Sequence, residues 1–210
     1  MFLSKITLDA RHPQARKDLS SAYEMHRTLS RVFAADDKVP PVRFLWRQEP
    51  VRSWEQSQVD VLVQATVPGH WAALQQWPGY LAQLQFDKAV NLPVLVRHGA
   101  QYRFRLRANP TVTRAGKRYG LKAEADQHAW LIRQGQRLGF EVLTCERSGN
   151  DTLSARQPRS GCVITVQAVT FDGVLRVTDD AVLRSAVEAG VGHAKSLGLG
   201  LLSLAPLATI

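Results

Sequence analysis

Cysteine is scarce in this chain of 210 residues, which carries only Cys145 and Cys162. Two thiols so far apart build neither a disulfide framework nor a zinc knuckle, and they suit a reducing compartment. No apolar run approaches the roughly 18 residues that cross a bilayer. The opening MFLSKITLDAR alternates like a strand and lacks the apolar block and cleavage site of a secretory signal. A cytoplasmic protein with no membrane partner is expected. The six histidines are scattered and none has a metal-binding spacing, the carboxylates do not cluster, and no Gly-x-Ser-x-Gly elbow occurs. These absences count against zinc, magnesium and serine-hydrolase chemistry. Any strand-cutting chemistry is therefore expected to run without a metal or other cofactor.

Negative charge is the second shortage. Lys and Arg number 27 against 18 Asp and Glu, for a net charge of +9. Such an excess favours an acidic partner. Arginine supplies most of it, and its planar fork matches phosphate oxygens better than a lysine point charge. The excess is also concentrated. Residues 97–122 hold eight Lys and Arg and no Asp or Glu.

The hydrophobic pattern predicts strands at 2–8, 42–46, 59–67 and 81–86, with a helix at 19–33 and a short one at 70–76. That order is βαββαβ, the ferredoxin-like arrangement. Strands at 102–106, 140–146, 162–171, 173–177 and 201–204, with helices at 123–138 and from Asp179 or Asp180 to Ala189, repeat it less cleanly. The expected fold is α+β, two tandem ferredoxin-like (RRM-like) domains spanning 1–92 and 93–210.

Three groups of residues can carry chemistry. On the helix 19–33, Leu19, Ala22, Met25, Leu29, Val32 and Phe33 form the apolar face. His26 falls about 60° from its centre and Tyr23 about 120°, on the same side. His26 thus stands at the edge of the core stripe, either as a half-buried histidine bonded to a neighbour or as an acid–base group. Its ordinary pKa of about 6.5 suits proton transfer near neutrality. Arg27 follows on that side.

The second group is the strand Tyr102-Arg103-Phe104-Arg105-Leu106-Arg107. Strand alternation sends Arg103, Arg105 and Arg107 to one face and the apolar residues to the other. Such a row can follow a phosphate backbone, or it can protect an edge strand by charge. Arg114, Lys117 and Arg118 continue in a loop or hairpin. Arg147, Arg156 and Arg159 lie in a polar segment that reads as a flexible loop. The third group is GVGHAKSLGLG, with Gly190, Gly192, Lys195, Gly198 and Gly200. It is neither a dinucleotide fingerprint nor a Walker loop, because a helix precedes it and a strand follows. It either offers N–H groups and Lys195 to an anion or lets two elements pack closely. His193 within it is taken as incidental.

Three motifs together resemble the CasE family, the CRISPR-associated endoribonucleases of the type I-E Cascade complex. They are Tyr23-Glu24-Met25-His26 with Leu29 and Phe33 downstream, the run Tyr102 to Pro110, and the run Gly192 to Leu207. The last is the most specific. The resemblance spans essentially the whole chain. It implies a metal-independent endoribonuclease that binds the stem-loop of CRISPR repeat RNA. It also implies cleavage at the 3′ base of the stem by 2′-OH attack, with the product retained alongside other Cascade subunits. By the same resemblance, Tyr23 and His26 fall on the catalytic positions. Arg103, Arg105, Arg107, Arg114, Lys117, Arg118, Arg156 and Arg159 fall on the RNA-binding surface, and Gly190 to Gly200 on the glycine-rich loop. Arg27, beside His26, and Lys195, in the glycine loop, are expected from their own placement to add RNA contacts. A non-catalytic RNA-hairpin-binding subunit is the alternative on the same fold.

Overall fold

The structure is a computed structural model. It describes the backbone of residues 1–34, 36, 39–50, 57–156 and 163–207, with all their side chains except those of residues 155, 156, 163 and 164. In chain order the elements are β1 (Phe2–Asp9), α1 (Pro13–Ser20), α2 (Ala22–Phe33), β2 (Phe44–Gln48), β3 (Gln58–Ala65), a 3₁₀ turn (Trp71–Leu74) and β4 (Leu81–Ala89). Then come α3 (Leu92–Leu95), β5 (Gln101–Ala108), β6 (Thr111–Arg114), β7 (Lys117–Gly120) and α4 (Glu124–Arg137). Last are β8 (Phe140–Arg156), β9 (Val163–Val177), α5 (Asp180–Ala189), a second 3₁₀ turn (Lys195–Leu197) and β10 (Leu202–Pro206).

Two compact units form. The first is built on Met1–Val90 and takes in Ser196–Gly198; the second is built on Asn91–Leu153, Thr165–Lys195 and the chain from Leu199. The first sheet has the order β2-β3-β1-β4 and the second β10-β5-β9-β8. Numbered within each unit, both orders are 4-1-3-2, the ferredoxin-like topology. In the second unit the β6–β7 hairpin is inserted between the first strand and its helix. No helix among the described residues is long and apolar enough to cross a membrane.

In the first unit α2 lies over the sheet. Its buried Met25, Leu29, Val32 and Phe33 join Ile6, Leu8, Val61 and Val63 in one cluster. Burying side chains the size of Leu29 stabilises by about 1.5–3 kcal/mol each. The expected helix 19–33 is in fact two. Ser21 is extended at φ −141°, ψ 109°, and its hydroxyl accepts from the Glu24 amide, so the chain turns there and α2 starts afresh. Ser21 and Glu24 have the Ser-x-x-Glu spacing of a capping box. The helix α1 gave no hydrophobic signal because it buries only Ala15 and Asp18.

Two strands also differ from expectation. The polar segment after Glu146, read as a flexible loop, continues β8 as far as Arg156. Most of its residues face solvent, so alternation could not reveal it. Gly173 does not break a strand but lies inside β9. A Cβ there would lie 2.0 Å from the Thr144 carbonyl oxygen, so glycine is what lets β9 run close against β8.

Candidate active site

The capped start of α2 sets the phase of the residues that follow. Met25 and Leu29 are fully buried, and His26 and Tyr23 are half-buried at the margin. The His26 ring stacks on Phe44 of β2, with centroids 4.9 Å apart and planes 22° from parallel. Its Nδ1 is sealed from solvent and has no hydrogen-bond partner. Nε2 is therefore the nitrogen that can be offered to a ligand. Burial pushes the pKa of His26 below its ordinary value, which favours the neutral ring near neutrality. The helix is tied at this turn by the Ser30 hydroxyl, which donates to the His26 carbonyl at 2.7 Å. Arg27 is exposed and bridges to Glu24 at 2.5 Å, and the same carboxylate takes Lys17 at 3.2 Å.

In the second unit the arginine row takes shape with a qualification that one strand's sequence hides. Arg105 donates to both carboxylate oxygens of Asp172, at 2.7 and 3.2 Å, and Asp172 stands opposite it on β9. Arg107 reaches Asp151 of β8 at 3.1 Å. The stretch 97–122 is free of acidic residues, yet neighbouring strands bring them to it. Arg103 differs. It is exposed, its cross-strand neighbours are Val174 and Ala205, and it has no ion pair among the described residues.

The segment after Pro110 is the β6–β7 hairpin, with Arg114 directly opposite Lys117 and Thr113 opposite Arg118. Like charges facing across a ladder repel, so an anion set against this pair relieves a cost the free protein carries. Tyr119 on the same hairpin is about half exposed, at 51%. His193, set aside from sequence, has a pKa lowered by burial and by the nearby charges of Arg118 and Lys195. Those three side chains share one neighbourhood. Lys195 also donates to the Ala189 carbonyl at 2.7 Å, at the end of α5.

The glycine loop closes on backbone bonds. The Val191 amide donates to Gly200, and the Gly200 amide donates to Arg107. Gly198 lies over the Trp46 ring, where a Cβ would come within 2.8 Å. Close packing thus accounts for glycine at this position without a ligand. Arg156 belongs to β8, but its side chain lies outside the described residues, and so does all of Arg159. Sequence reasoning missed Phe44 and Trp46. Their signal was two aromatics at alternate positions of a short strand, and nothing in that pattern named His26 and Gly198 as their neighbours. Among the described residues, no three His, Cys, Asp or Glu side chains gather as a metal ion would need.

Comparison with known proteins completes the description. A family described as CRISPR associated protein matches residues 1–206. The chain is 40% identical to the CRISPR-associated endoribonuclease Cse3 of Thermus thermophilus, over 98% of this chain and 100% of that one. It is 31% identical to the Cascade subunit CasE of Escherichia coli, over 99% and 100%. Among solved structures, CRISPR endoribonuclease Cse3 bound to a 19-nucleotide RNA superposes with a TM-score of 0.87. That match has 38% identity and covers 98% of this chain and 100% of the other.

Proposed function

This chain belongs to the CRISPR-associated protein family that includes the Cse3 endoribonuclease and the Cascade subunit CasE, and from that premise we propose a cytoplasmic endoribonuclease that processes CRISPR precursor RNA. It binds the repeat stem-loop, cuts at the 3′ base of the stem, and keeps the product within Cascade. The reaction is transesterification. The ribose 2′-OH attacks the adjacent phosphorus, the P–O5′ bond breaks, and a 2′,3′-cyclic phosphate and a 5′-OH result. The nucleophile's proton leaves to a base, and the leaving oxygen gains one from an acid.

The observation that carries this reading is the state of His26. Its ring is fixed at the edge of the core with one nitrogen sealed and the other available. The chain also presents the basic β6–β7 hairpin and an exposed Arg103 that has no ion pair among the described residues. His26 exchanges the proton through Nε2. Tyr23, one turn before it, positions the phosphate. Arg27 is close in sequence but engaged with Glu24, so it adds charge stabilisation only after that pair opens. Arg103, Arg114, Lys117 and Arg118 bind the RNA backbone, with Arg105, Arg107 and Lys195 in support.

The test is single-turnover cleavage of an end-labelled repeat hairpin in EDTA. His26→Ala is expected to abolish cutting while hairpin affinity stays within about twofold. A 2′-deoxy residue at the scissile position is expected to stop the wild-type enzyme. Wild-type rates in either case overturn the chemistry.

A further inference from the structure

An acid–base histidine is usually oriented by a hydrogen bond to its second nitrogen, from a carboxylate or a carbonyl. His26 has none, because Nδ1 is sealed and without a partner. Its orientation has another source. The Phe44 ring lies parallel to His26 on one side and to Phe33 on the other, at 4.9 Å from each, with interplanar angles of 22° and 20°. Phe33 follows His26 on α2 by seven residues, two turns, a rise of about 10.5 Å. Two stacking distances fill that gap. Phe44 is thus a wedge from β2 driven between two rings of one helix. The far end of the stack is held by Trp71, edge-on to Phe33 at 6.0 Å. Phe33 and Phe44 are both buried, at 7% and 6% exposure.

We propose that Phe44 is the positioning residue of the reaction, holding the His26 imidazole in plane by stacking where other enzymes use a hydrogen-bonding partner. The strand pairing that places Phe44 opposite Ala65 of β3 fixes the wedge to the sheet, so the sheet and not a side-chain acceptor aims Nε2. The inference rests on His26 being the reacting histidine. It touches no RNA contact and predicts a defect confined to the chemical step.

Phe44→Leu keeps most of the volume but removes the flat face. It is expected to slow single-turnover cleavage of the bound hairpin by about 10- to 100-fold, the scale of a misplaced reacting group. Hairpin affinity is expected to stay within twofold. Phe44→Tyr, which restores a ring, is expected to recover most of the rate. Phe33→Leu removes an equally buried ring from the same stack without touching His26, so it is expected to lower the unfolding temperature and spare the rate. If Phe44→Leu does not fold, Phe44→Met is read in its place. The proposal is overturned if the Phe44 variants without a ring cleave at wild-type rate, or if Phe33→Leu slows cleavage as much as they do. Full activity of His26→Ala instead removes the reading of His26 itself, a separable outcome.

Discussion

Replacing Gly198 by alanine separates two costs that are usually confounded. Gly198 has φ +76°, and a Cβ there would sit 2.8 Å from two carbons of the Trp46 ring and 3.0 Å from a third. Trp46 is 3% exposed, so its ring has little room to retreat. The left-handed backbone costs an alanine about 1–2 kcal/mol. Forcing a methyl against a packed ring adds about 1–3 kcal/mol. Together they come to about 2–5 kcal/mol. Gly116, at the β6–β7 turn, has nearly the same φ of +74° but nothing within 4 Å of its Cβ position. Gly116→Ala therefore bears the backbone cost alone, about 1–2 kcal/mol. Calorimetric unfolding of the wild type and both variants measures the two losses, each on the transition of its own unit where two are resolved. Gly198→Ala is expected to lose more by about 1–3 kcal/mol. Equal losses would refute the claim that the loop is glycine-rich here because it packs on an aromatic ring.

Asp18 is 1% exposed and accepts from the Tyr80 hydroxyl at 2.8 Å and from Gln14 at 2.9 Å. Burial raises its pKa against the pull of these bonds, so its contribution to stability is complete below about pH 3.9 and is lost as pH rises through the folded value. Asp18→Asn is expected to flatten that fall and to unfold at a higher temperature than the wild type at pH 8, and an unchanged pH trend rules this out. Arg103→Ala is expected to weaken hairpin binding and to reduce the salt slope by about 0.7–0.9. Arg105→Ala, whose charge Asp172 already offsets, is expected to change the slope less, and filter binding between low and moderate salt compares the two.

The parts of the fold that advertised themselves were those with one wet face and one dry one. The helix 22–33 and the strands β1, β3 and β5 alternate or cycle in hydrophobicity because a core takes one side of each. The helix α1 and the far half of β8 escaped notice for the opposite reason. The first buries a carboxylate and an alanine, and the second has one exposed face and a half-buried one with Arg147, Gly149 and Leu153, only one of which is a large apolar residue. At the site, helical phase was enough to place His26 and Tyr23 on one margin of α2, because three-residue spacing is a local property. The stacking of Phe44 and the neutralisation of Arg105 by Asp172 are not local. Each joins residues many positions apart through sheet register, and no pattern within a single strand carries that information. Charge counted along the chain overstated the free positive face for this reason.

The sealed Nδ1 of His26 constrains the proposed chemistry more than the identity of the residue does. As a general base His26 accepts at Nε2 only if the ring proton is already on Nδ1. As a general acid it donates from Nε2 only as the imidazolium, which again carries a proton on Nδ1. Both active forms therefore place an N–H where the protein supplies no acceptor, at a cost of about 1–3 kcal/mol. Burial favours the neutral ring over the imidazolium in the free protein. A phosphate brought against Nε2 reverses the order, because its negative charge stabilises the imidazolium and accepts the Nε2 proton. In the proposed reaction the RNA is thus both substrate and the agent that draws His26 into its reactive form. A hairpin held in the wrong register leaves the ring neutral, so binding and cutting become coupled without any moving part beyond the RNA itself.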